Sequence, residues 1–493
     1  MAGFKGEFML SLEGKCEMPL IAAMLRYKKE NIYPLHTPGH KGGRGMEKLL
    51  RNELSESVKM DVSLMSELDD LHAPSGCIKK AEELAAGVYG SDLCLWAVNG
   101  TTGAIHAMLL TALNPGEKLL LPRNAHRSVA GGLILGGINS AYLTPGYDSG
   151  FGLQLEVRPE QIAAALAKDK EIKAVLLTSP NYYGIAADVK SIATICHERG
   201  VVLLVDEAHG AHLGFSKLLP PSALHSGADA SAQSTHKLLG AMTQCSMLHV
   251  QGKRLDLARA RDAMSLLTTT SPDYLLMASL DAARAQLAAY GREMAEAAVS
   301  AAAELRQLCA EFKGLRVLEK KDLHGFGLDT TKVTVNFAAL GYSGVEAGEL
   351  LRKNRIAVEL VDAANVLFLV TYADKNKDFP AALGRIREVF AFMEKNRRPP
   401  LKQAAATDVP VTNTALAMRD VFYSAKKSLP LEDSEGAVCG EQVAFYPPGI
   451  PVLLPGEIIT REIIAYCHAM RELGLPVSGP ADTALKRIRV ADL

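Results

Sequence analysis

The chain has 493 residues, of which 48% are hydrophobic and 22% charged, and its formal net charge is −1 at pH 7. A chain of this length exceeds what one compact core usually holds, so we expect two to four structural units. The near-zero net charge excludes a protein that binds nucleic acid or anionic lipid through a global basic field. Because the sequence has no run of about 18 apolar residues, a membrane-spanning helix is not expected.

The N-terminus and the cysteines indicate a cytoplasmic protein. The N-terminus mixes charged residues with short apolar pieces and lacks the uninterrupted apolar core of a secretory signal. The eight cysteines are scattered along the chain without a CxxC pair. This spacing predicts neither a disulfide framework nor a zinc site, so we expect reduced thiols and no metal.

Apolar runs alternate with helical stretches between about residues 90 and 250. The predicted strands cover 93–98, 119–121, 174–178 and 201–205, and the predicted helices cover 102–113 and 188–199. Asp188 suits the N-cap of the second helix, and Gly200 suits its C′ position. Strands that are apolar on both faces and separated by helices predict an α/β fold with a mostly parallel, covered sheet. Ligands of such sheets bind at the carboxyl ends of the strands.

The remaining segments predict smaller units. Residues 255–315 are typical of long helix, and strands at 332–337, 357–360 and 366–370 with a helix at 381–395 predict an α+β unit. A polar, proline-containing stretch is typical of a linker. The predicted division is an N-terminal segment 1–35, a large domain 36–260, a small α+β domain 261–396, a linker 397–414 and a C-terminal α+β domain 415–493, which contains the turn cluster Tyr446-Pro447-Pro448-Gly449-Ile450-Pro451.

An aspartate and a lysine are the first candidates for chemistry. Asp206 ends the most apolar predicted strand, where a carboxylate is costly unless it meets a cation or hydrogen-bond donors. The pyridinium N–H of pyridoxal 5′-phosphate (PLP) is such a partner, and the ion pair keeps the ring able to accept electrons. Lys237, in Ser234-Thr235-His236-Lys237, is the matching amine for a Schiff base with the aldehyde. Taken singly, Asp206 also fits a helix cap and Lys237 a solvated surface group.

Further residues near these two fit a bound PLP. Ala208 is small enough for the flat ring to lie close, and His209 is placed to hydrogen-bond the phenolic oxygen. His126, at an earlier strand-to-helix turn, is placed to stack on the other face of the ring. For both histidines a structural role, such as helix capping by His126, is the alternative.

A phosphate-binding loop is predicted at Asn99-Gly100-Thr101-Thr102-Gly103, between a strand and a helix. Its backbone N–H groups, including that of Gly100, the hydroxyls of Thr101 and Thr102 and the positive helix end suit a phosphate. Ser234 and His236 can add donors, although a plain β–α turn has the same composition. The loop, His126, Asp206 and Lys237 occur in this order, each after a strand. This order resembles the large domain of fold-type-I PLP enzymes such as aspartate aminotransferase.

Several segments resemble the Orn/Lys/Arg decarboxylase family specifically. They are His36-Thr37-Pro38-Gly39-His40-Lys41-Gly42-Gly43, Asp69-Asp70-Leu71-His72-Ala73-Pro74-Ser75-Gly76, Asn99-Gly100-Thr101-Thr102-Gly103, Asp206-Glu207-Ala208-His209-Gly210 and Ser234-Thr235-His236-Lys237, with Tyr446-Pro447-Pro448-Gly449-Ile450-Pro451 and Pro455-Gly456-Glu457 near the C-terminus. The resemblance spans nearly the whole chain, and the first motif combined with Ser-x-His-Lys is highly specific.

The resemblance implies a role for each matching residue. Lys237 is implied as the Schiff-base lysine, Asp206 as the pyridinium partner and His126 as the stacking group. The implied phosphate ligands are Thr101, Thr102, Ser234 and His236. An active site shared between two subunits is also implied, in which Thr270 or Ser271 reaches the partner's phosphate. Large acid-inducible members carry an additional N-terminal response-regulator-like domain, for which the sequence before residue 36 is too short. We therefore expect a short form that assembles as a homodimer or homotetramer.

The expected reaction is the α-decarboxylation of a basic amino acid. Arginine, which gives agmatine for polyamine synthesis, is the first choice because short family members are commonly assigned to it, and lysine (to cadaverine) and ornithine (to putrescine) follow. Glu67, Asp69 and Asp70 are candidates for binding the distal cationic group, with a solvated acidic loop as the alternative. The competing functions are a PLP-dependent aminotransferase or carbon–carbon lyase, and a non-catalytic PLP-fold regulatory subunit.

Overall fold

The computed structural model describes residues 14–401, 409–410, 412–445 and 450–492. Residues 446–449 of the predicted turn cluster, and residues 402–408 and 411 of the predicted linker, lie outside the described residues. Within the described ranges, none of the helices is long and apolar enough to cross a membrane.

The helices and strands follow in chain order. The α-helices are α1 (Pro19–Glu30), α2 (Lys48–Leu54), α3 (Cys77–Tyr89), α4 (Gly100–Ala112), α5 (Arg127–Gly136), α6 (Pro159–Lys168), α7 (Val189–His197), α8 (Thr235–Leu238), α9 (Leu257–Leu267), α10 (Tyr274–Ala310), α11 (Gly344–Lys353), α12 (Phe379–Lys395), α13 (Met418–Tyr423) and α14 (Arg461–Glu472). The strands are β1 (Leu93–Ala97), β2 (Lys118–Pro122), β3 (Asn139–Leu143), β4 (Tyr147–Asp148), β5 (Leu153–Gln154), β6 (Ile172–Thr178), β7 (Ile185–Ala186), β8 (Val202–Asp206), β9 (Ala230–Gln233), β10 (Ser246–Val250), β11 (Arg316–Val317), β12 (Gly327–Leu328), β13 (Lys332–Asn336), β14 (Leu360–Val361), β15 (Asn365–Leu369), β16 (Lys426–Pro430), β17 (Val443–Phe445), β18 (Pro451–Leu453), β19 (Val477–Ser478) and β20 (Arg487–Ala491).

The chain forms two compact units. The first comprises Met1–Ala112, Leu204–Lys217 and Pro221–Ala295, as far as these residues are described, and the second comprises Leu113–Leu203, Leu218–Pro220 and Glu296–Leu493. These units cut across the domain boundaries predicted from the sequence, which remain a prediction.

In the first unit, four strands lie in the order β1-β10-β9-β8. Strands β8 and β9 are parallel, with Asp206 paired to Ala232, whereas β10 is antiparallel to both β9 and β1. All four residues of β9 and all five of β10 are buried. Because β8 and β9 run in the same direction, the residues that follow them emerge at the same edge of the sheet.

The second unit contains the parallel strands β6-β2-β3 and an antiparallel sheet in the order β11-β13-β15-β14. Helices α11 and α12 contribute to the core of the antiparallel sheet. The C-terminal part contains β16 paired with β20 and a small sheet in the order β18-β17-β19. Together with α14, these strands have a hydrophobic core of their own, which includes Leu431, Val443, Leu453, Ile463 and Val490.

The predicted α/β fold is confirmed, with differences at single elements. Asp188 caps α7 by accepting a hydrogen bond from the Ser191 N–H (3.1 Å), and Gly200 has the positive φ (68°) expected after a helix. The predicted strand at 357–360 is wrong for its first three residues, because β14 pairs with β15 through two residues. Strands β3, β9 and β10, the short strands β4, β5, β7, β11 and β12, and the C-terminal strands β16 to β20 were not predicted with residue bounds.

Candidate active site

Asp206 and Lys237 lie at one edge of the first unit's strands. Asp206 is the last residue of β8 and is 2% exposed, and its Oδ1 accepts a hydrogen bond from the Ala208 N–H (3.1 Å). Burial raises the pKa of Asp206 to about 6, while the nearby Lys237 ammonium and the Ala208 N–H act in the opposite direction. The backbone N–H of the half-buried Ala208 therefore orients this carboxylate. A cation in addition to Lys237 would favour the ionised form of Asp206 further.

Lys237 lies in the single-turn helix α8, which the chain enters directly after β9. Its Nζ is 3.0 Å from Nε2 of His209, and His209 is 3% exposed. The structure thus brings together Lys237, His209 and Asp206. In the sequence these residues belong to two motifs, and His209 and Lys237 are 28 positions apart.

Three hydroxyl groups meet beside the start of α4. Thr101 Oγ1 bonds to Ser234 Oγ and also to Ser246 Oγ, the latter at 2.8 Å, and all three residues are buried. The first N–H groups of a helix have no intrahelical acceptor and carry a partial positive charge. Hydroxyls at such a helix end suit an anionic group.

The remaining predicted phosphate ligands differ in their arrangement. Thr102 is exposed at the start of α4. The Gly100 N–H donates to the carbonyl of Gln244 (2.8 Å), and Gly100 also contributes its positive φ (66°) to the turn, so its place in the phosphate site stays a prediction. His236 is half-buried, and its Nδ1 donates to the carbonyl of Cys245 (2.9 Å).

Two buried residues of this region were missed in the sequence. Ser246 lies in β10, which was not predicted, so no signal pointed to it. Glu207 directly follows Asp206 and is fully buried; its Oε1 accepts from the Ala223 N–H (2.7 Å), and its Oε2 accepts from Ser231 Oγ (2.7 Å) and Gln233 Nε2 (2.8 Å). Burial raises the pKa of Glu207 to about 7, although these three donors act to lower it.

His126 lies in the second unit and is the N-cap residue of α5. Its Nδ1 is 2.8 Å from Ser128 Oγ and accepts from the Ser128 N–H (3.3 Å). The capping role considered from the sequence is therefore present, and these contacts also fix the orientation of the half-buried ring.

Of the three acidic candidates for the substrate's distal group, Asp69 is used by the protein itself. Its carboxylate accepts hydrogen bonds from five backbone N–H groups: those of Asp70 (2.9 Å), Ser75 (2.8 Å), Gly76 (2.8 Å), Ile78 (2.9 Å) and Lys79 (3.2 Å). Burial opposes ionisation, but these N–H groups outweigh it and lower the pKa of Asp69. Glu67 is exposed and Asp70 half-buried, so these two remain the candidates.

Thr270 and Ser271, which were predicted to reach a partner's phosphate, are both exposed. Their loop is held just before them by His72, whose Nε2 donates to the Thr269 carbonyl (2.9 Å) and whose Nδ1 is 2.7 Å from Ser265 Oγ. This histidine belongs to the same motif as Asp69, so that motif orders the loop on which both exposed hydroxyls lie.

The side chains of the first unit match three chemical groups of PLP. Lys237 offers an amine for the aldehyde, Asp206 a buried carboxylate for the ring nitrogen, and Thr101 with Ser234 hydroxyl donors for the phosphate. Together with the strand order, this set defines the class as a PLP-dependent enzyme of fold type I.

Comparison with known proteins narrows this class. The chain matches the family model described as Orn/Lys/Arg decarboxylase, major domain, over residues 18–378, and that described as Orn/Lys/Arg decarboxylase, C-terminal domain, over residues 401–479. The chain therefore belongs to the Orn/Lys/Arg decarboxylase family. This membership establishes PLP as the cofactor and decarboxylation of a basic amino acid as the activity, against the aminotransferase, lyase and non-catalytic alternatives.

Individual relatives agree with the family, and a solved structure shows a similar fold. An arginine decarboxylase of Halalkalibacterium halodurans is 38% identical over 96% of this chain and 97% of that protein. An arginine decarboxylase of Bacillus subtilis is 36% identical, over 96% of this chain and 98% of that protein. The fold is also similar to that of lysine decarboxylase A from Pseudomonas aeruginosa, with a TM-score of 0.82 and 21% identity over 96% of this chain and 80% of that chain.

Proposed function

We propose that the protein is an arginine decarboxylase that converts L-arginine into agmatine and CO₂. The observation that supports the chemistry is the buried Asp206 close to Lys237, whose amine contacts His209. The preference for arginine over lysine and ornithine rests on two arginine decarboxylases that are 38% and 36% identical over nearly the full chain. Agmatine is a polyamine precursor, so the product is expected to feed polyamine synthesis.

In this proposal the first unit holds the cofactor at three points. Lys237 would hold the aldehyde through its amine, Asp206 would pair with the ring nitrogen, and Thr101, Thr102, Ser234 and His236 would bind the phosphate. Ala208 would leave room for the flat ring, and His209 would hydrogen-bond the phenolic oxygen. When bound, PLP supplies an electron sink for the electron pair left at Cα when CO₂ departs.

Asp206 acts through its charge. In the protein alone, burial holds its pKa at about 6. A cationic ring nitrogen beside the carboxylate favours the ionised form, because an opposite charge at short range lowers the pKa of a buried acid. The ion pair in turn keeps the ring nitrogen protonated, which is the form that accepts electrons.

Lys237 and His209 are assigned to proton handling. Decarboxylation replaces the carboxylate at Cα by a proton, so the site needs a group that can deliver one. The 3.0 Å distance between Lys237 Nζ and His209 Nε2 is short enough for a proton to be exchanged between the two nitrogens. We assign the return of the proton to Cα to this pair.

His126 is assigned to ring stacking. The contacts of its Nδ1 with the Ser128 N–H and hydroxyl hold the imidazole in one orientation. An imidazole that is already held in one orientation loses little further conformational entropy when it stacks on a flat ring, which favours stacking.

The guanidinium group of the substrate is assigned to Glu67 and Asp70. A planar guanidinium prefers a carboxylate that accepts two parallel N–H donors. Asp70 Oδ1 accepts from the His72 N–H (2.9 Å), which fixes its side chain, and Glu67 is exposed. Exchange of either for its amide is expected to raise the KM for arginine.

A homodimer or homotetramer with a shared active site is also proposed, as is a cytoplasmic location. Thr270 and Ser271 are exposed hydroxyl residues, and Tyr33, Leu35 and Leu49 are large apolar side chains that are 72%, 88% and 69% exposed. Burial of these side chains against another subunit would remove apolar surface from water, which would favour assembly. Sedimentation of the purified protein tests the assembly, and fractionation of cells tests the location.

The substrate is tested by incubating the purified protein with PLP and with arginine, lysine or ornithine separately. We expect CO₂ and agmatine from arginine at the highest kcat/KM. Release of CO₂ from lysine or ornithine at a higher kcat/KM would reassign the substrate, and release from none of the three would overturn the proposal.

The attachment site is tested by borohydride reduction of the holoenzyme followed by peptide mapping. We expect the phosphopyridoxyl group on Lys237 and no CO₂ release from the Lys237→Ala variant. Lys253→Ala is the matched control, because Lys253 is an exposed lysine of the same unit. Label on another lysine would refute the assignment.

A further inference from the structure

The turn that carries His126 is held by residues of the C-terminal domain. This turn connects β2 to α5, and His126 is flanked by two arginines, Arg123 three residues before it and Arg127 directly after it. Both arginines bind residues within 451–478, which belong to the match with the C-terminal domain. All of these residues lie in the second unit.

Arg123 makes the more extensive of these contacts. It is 5% exposed, and its Nη1 donates to the Pro451 carbonyl (2.7 Å), while its Nη2 donates to the Val452 carbonyl (3.1 Å) and to Glu457 Oε2 (2.8 Å). Glu457 is 1% exposed, and the same Oε2 accepts from the Leu454 N–H (2.7 Å). The guanidinium is thus bound on two nitrogens by three acceptors of one segment, which fixes its plane.

A second set of contacts reaches α5 from the same domain. Arg127 Nη1 donates to Ser478 Oγ (3.0 Å). At the other end of α5, Arg419 Nη1 donates to the Leu135 carbonyl (3.2 Å), and α13, which contains Arg419, packs against α5. The helix that His126 caps is therefore contacted by the C-terminal domain at both of its ends.

His126 and the C-terminal domain also share a cavity. Its lining includes Arg123, His126 and Tyr142 from the region around β2 and β3, and Pro451 and Leu454 from the C-terminal domain. The Arg123 guanidinium carbon lies 5.6 Å from the centre of the Tyr142 ring. A shift of the 451–457 segment would therefore change the space next to the imidazole as well as the position of Arg123.

A buried ion pair is a costly means of holding a turn. The desolvation of both charges offsets much of their attraction, and apolar side chains of the same size often stabilise a fold equally well. The local turn has bonds of its own, from the Arg123 N–H to the Leu143 carbonyl (2.8 Å) and from the Ala125 N–H to the Pro122 carbonyl (3.1 Å). What the ion pair adds is a directed connection between this turn and the C-terminal domain.

We infer that Glu457 is a positioning residue for the cofactor site: through Arg123 it fixes the turn that presents His126, and the C-terminal domain thereby sets how firmly PLP is held. This inference rests on the stacking role assigned to His126 under the proposed function. It gives the C-terminal domain a part in cofactor binding although its residues need not touch the cofactor.

The inference is tested on the full-length holoenzyme with Glu457→Gln, which keeps the shape of the side chain and removes its charge. The readouts are the rate at which bound PLP is lost on dilution and the circular dichroism of the bound cofactor. We expect roughly two- to thirtyfold faster loss, the range typical of coupling through a positioning network, and an altered dichroism band. Glu435→Gln is the matched control, because Glu435 forms an exposed ion pair with Arg461 in the same domain; it is expected to behave as the unmodified protein.

A double-mutant cycle separates this inference from the assignment of His126. If Glu457 acts through His126, adding Glu457→Gln to His126→Ala causes little further loss of PLP. Independent, additive effects overturn the inference, as does a Glu457→Gln protein with unchanged PLP loss and dichroism. A His126→Ala protein that holds PLP normally overturns the stacking role itself, and with it the inference. Should Glu457→Gln fail to fold, the exposed Arg127→Gln replaces it in the cycle, with a smaller effect in the same direction expected.

Discussion

Replacing Asp69 with asparagine distinguishes a structural carboxylate from a substrate ligand. The carboxylate of Asp69 accepts five backbone N–H groups, two on Oδ1 and three on Oδ2. An asparagine keeps one acceptor oxygen and places an NH₂ group where the other was. Two or three of the five hydrogen bonds are therefore lost, and the new N–H groups face donors that they cannot satisfy.

The magnitude follows from this count. At about 1 kcal/mol for each lost bond, with about 1 kcal/mol more for a buried N–H left unsatisfied, we expect Asp69→Asn to lower the free energy of unfolding by about 3–4 kcal/mol. The backbone adds little to this, because aspartate already adopts the positive φ of 67° at this position and asparagine has the same shape at Cβ and Cγ.

The assay combines urea unfolding with steady-state kinetics. Asp70→Asn is the control, and it is expected to be close to the unmodified protein in stability but to raise the KM for arginine. For Asp69→Asn we expect lower stability and an unchanged KM at temperatures where the protein is folded. Normal stability together with a raised KM would refute the structural role and return Asp69 to the substrate site.

The lowered pKa of Asp69 also predicts the sign of a pH effect. An acid whose pKa is lower in the folded state adds stability above its unfolded-state pKa of about 4, and this stability is lost as the pH falls through the folded-state pKa. The difference in stability between the unmodified protein and Asp69→Asn should therefore shrink below about pH 4. A difference that stayed constant to lower pH would contradict this reasoning.

Three further predictions concern other buried charges. Asp206→Asn keeps an acceptor for the Ala208 N–H but loses the charge. At about 3–5 kcal/mol for a broken buried ion pair, we expect kcat/KM to fall by about 10²- to 10⁴-fold. The pKa of Glu207 is raised to about 7, so its contribution to stability is full below about pH 4 and is lost as the pH rises through 7. We therefore expect the difference in unfolding free energy between the unmodified protein and Glu207→Gln, measured by urea unfolding, to decline from about pH 4 to about pH 7. Arg123→Met leaves the Glu457 carboxylate buried without its cation and should cost about 3–5 kcal/mol in unfolding free energy, part of which Glu457→Gln in the same chain restores.

The strands that could be predicted were those whose burial is visible in their composition. Strand β8 is an unbroken apolar run that ends in Asp206, and β6 is similar. Strand β10, Ser246–Val250, is also fully buried, but it contains a serine and a histidine whose polar atoms are accommodated only by tertiary contacts, such as the bond from Ser246 Oγ to Thr101 Oγ1. A polar residue in a buried strand is therefore predictable only once its partner is known.

The candidate site shows the same limit at the level of single atoms. The positions of Lys237, Asp206 and Thr101 follow from the order of strands and motifs, which the sequence carries. The Gly100 N–H is bonded to the Gln244 carbonyl, and the Asp69 carboxylate is bonded to its own loop. These bonds depend on which groups the folded chain brings within about 3 Å, and the spacing of residues in the sequence does not indicate that. Residue types at a strand end thus predict a site better than they predict the donor and acceptor assignments within it.

The adjacent carboxylates Asp206 and Glu207 illustrate why the structure is needed to divide the roles. Neighbouring residues at the end of a strand point to opposite faces, so they meet different surroundings although both are buried and both have a raised pKa. Both oxygens of Glu207 accept hydrogen bonds from neutral donors on Ala223, Ser231 and Gln233, which satisfy the carboxyl without a cation. Asp206 instead lies close to the Lys237 ammonium, which acts against the rise of its pKa. Because Lys237 is the amine proposed to hold PLP, a protonated ring nitrogen beside Asp206 would supply a further cation for this carboxylate, and that ion pair would favour the form of the ring that accepts electrons.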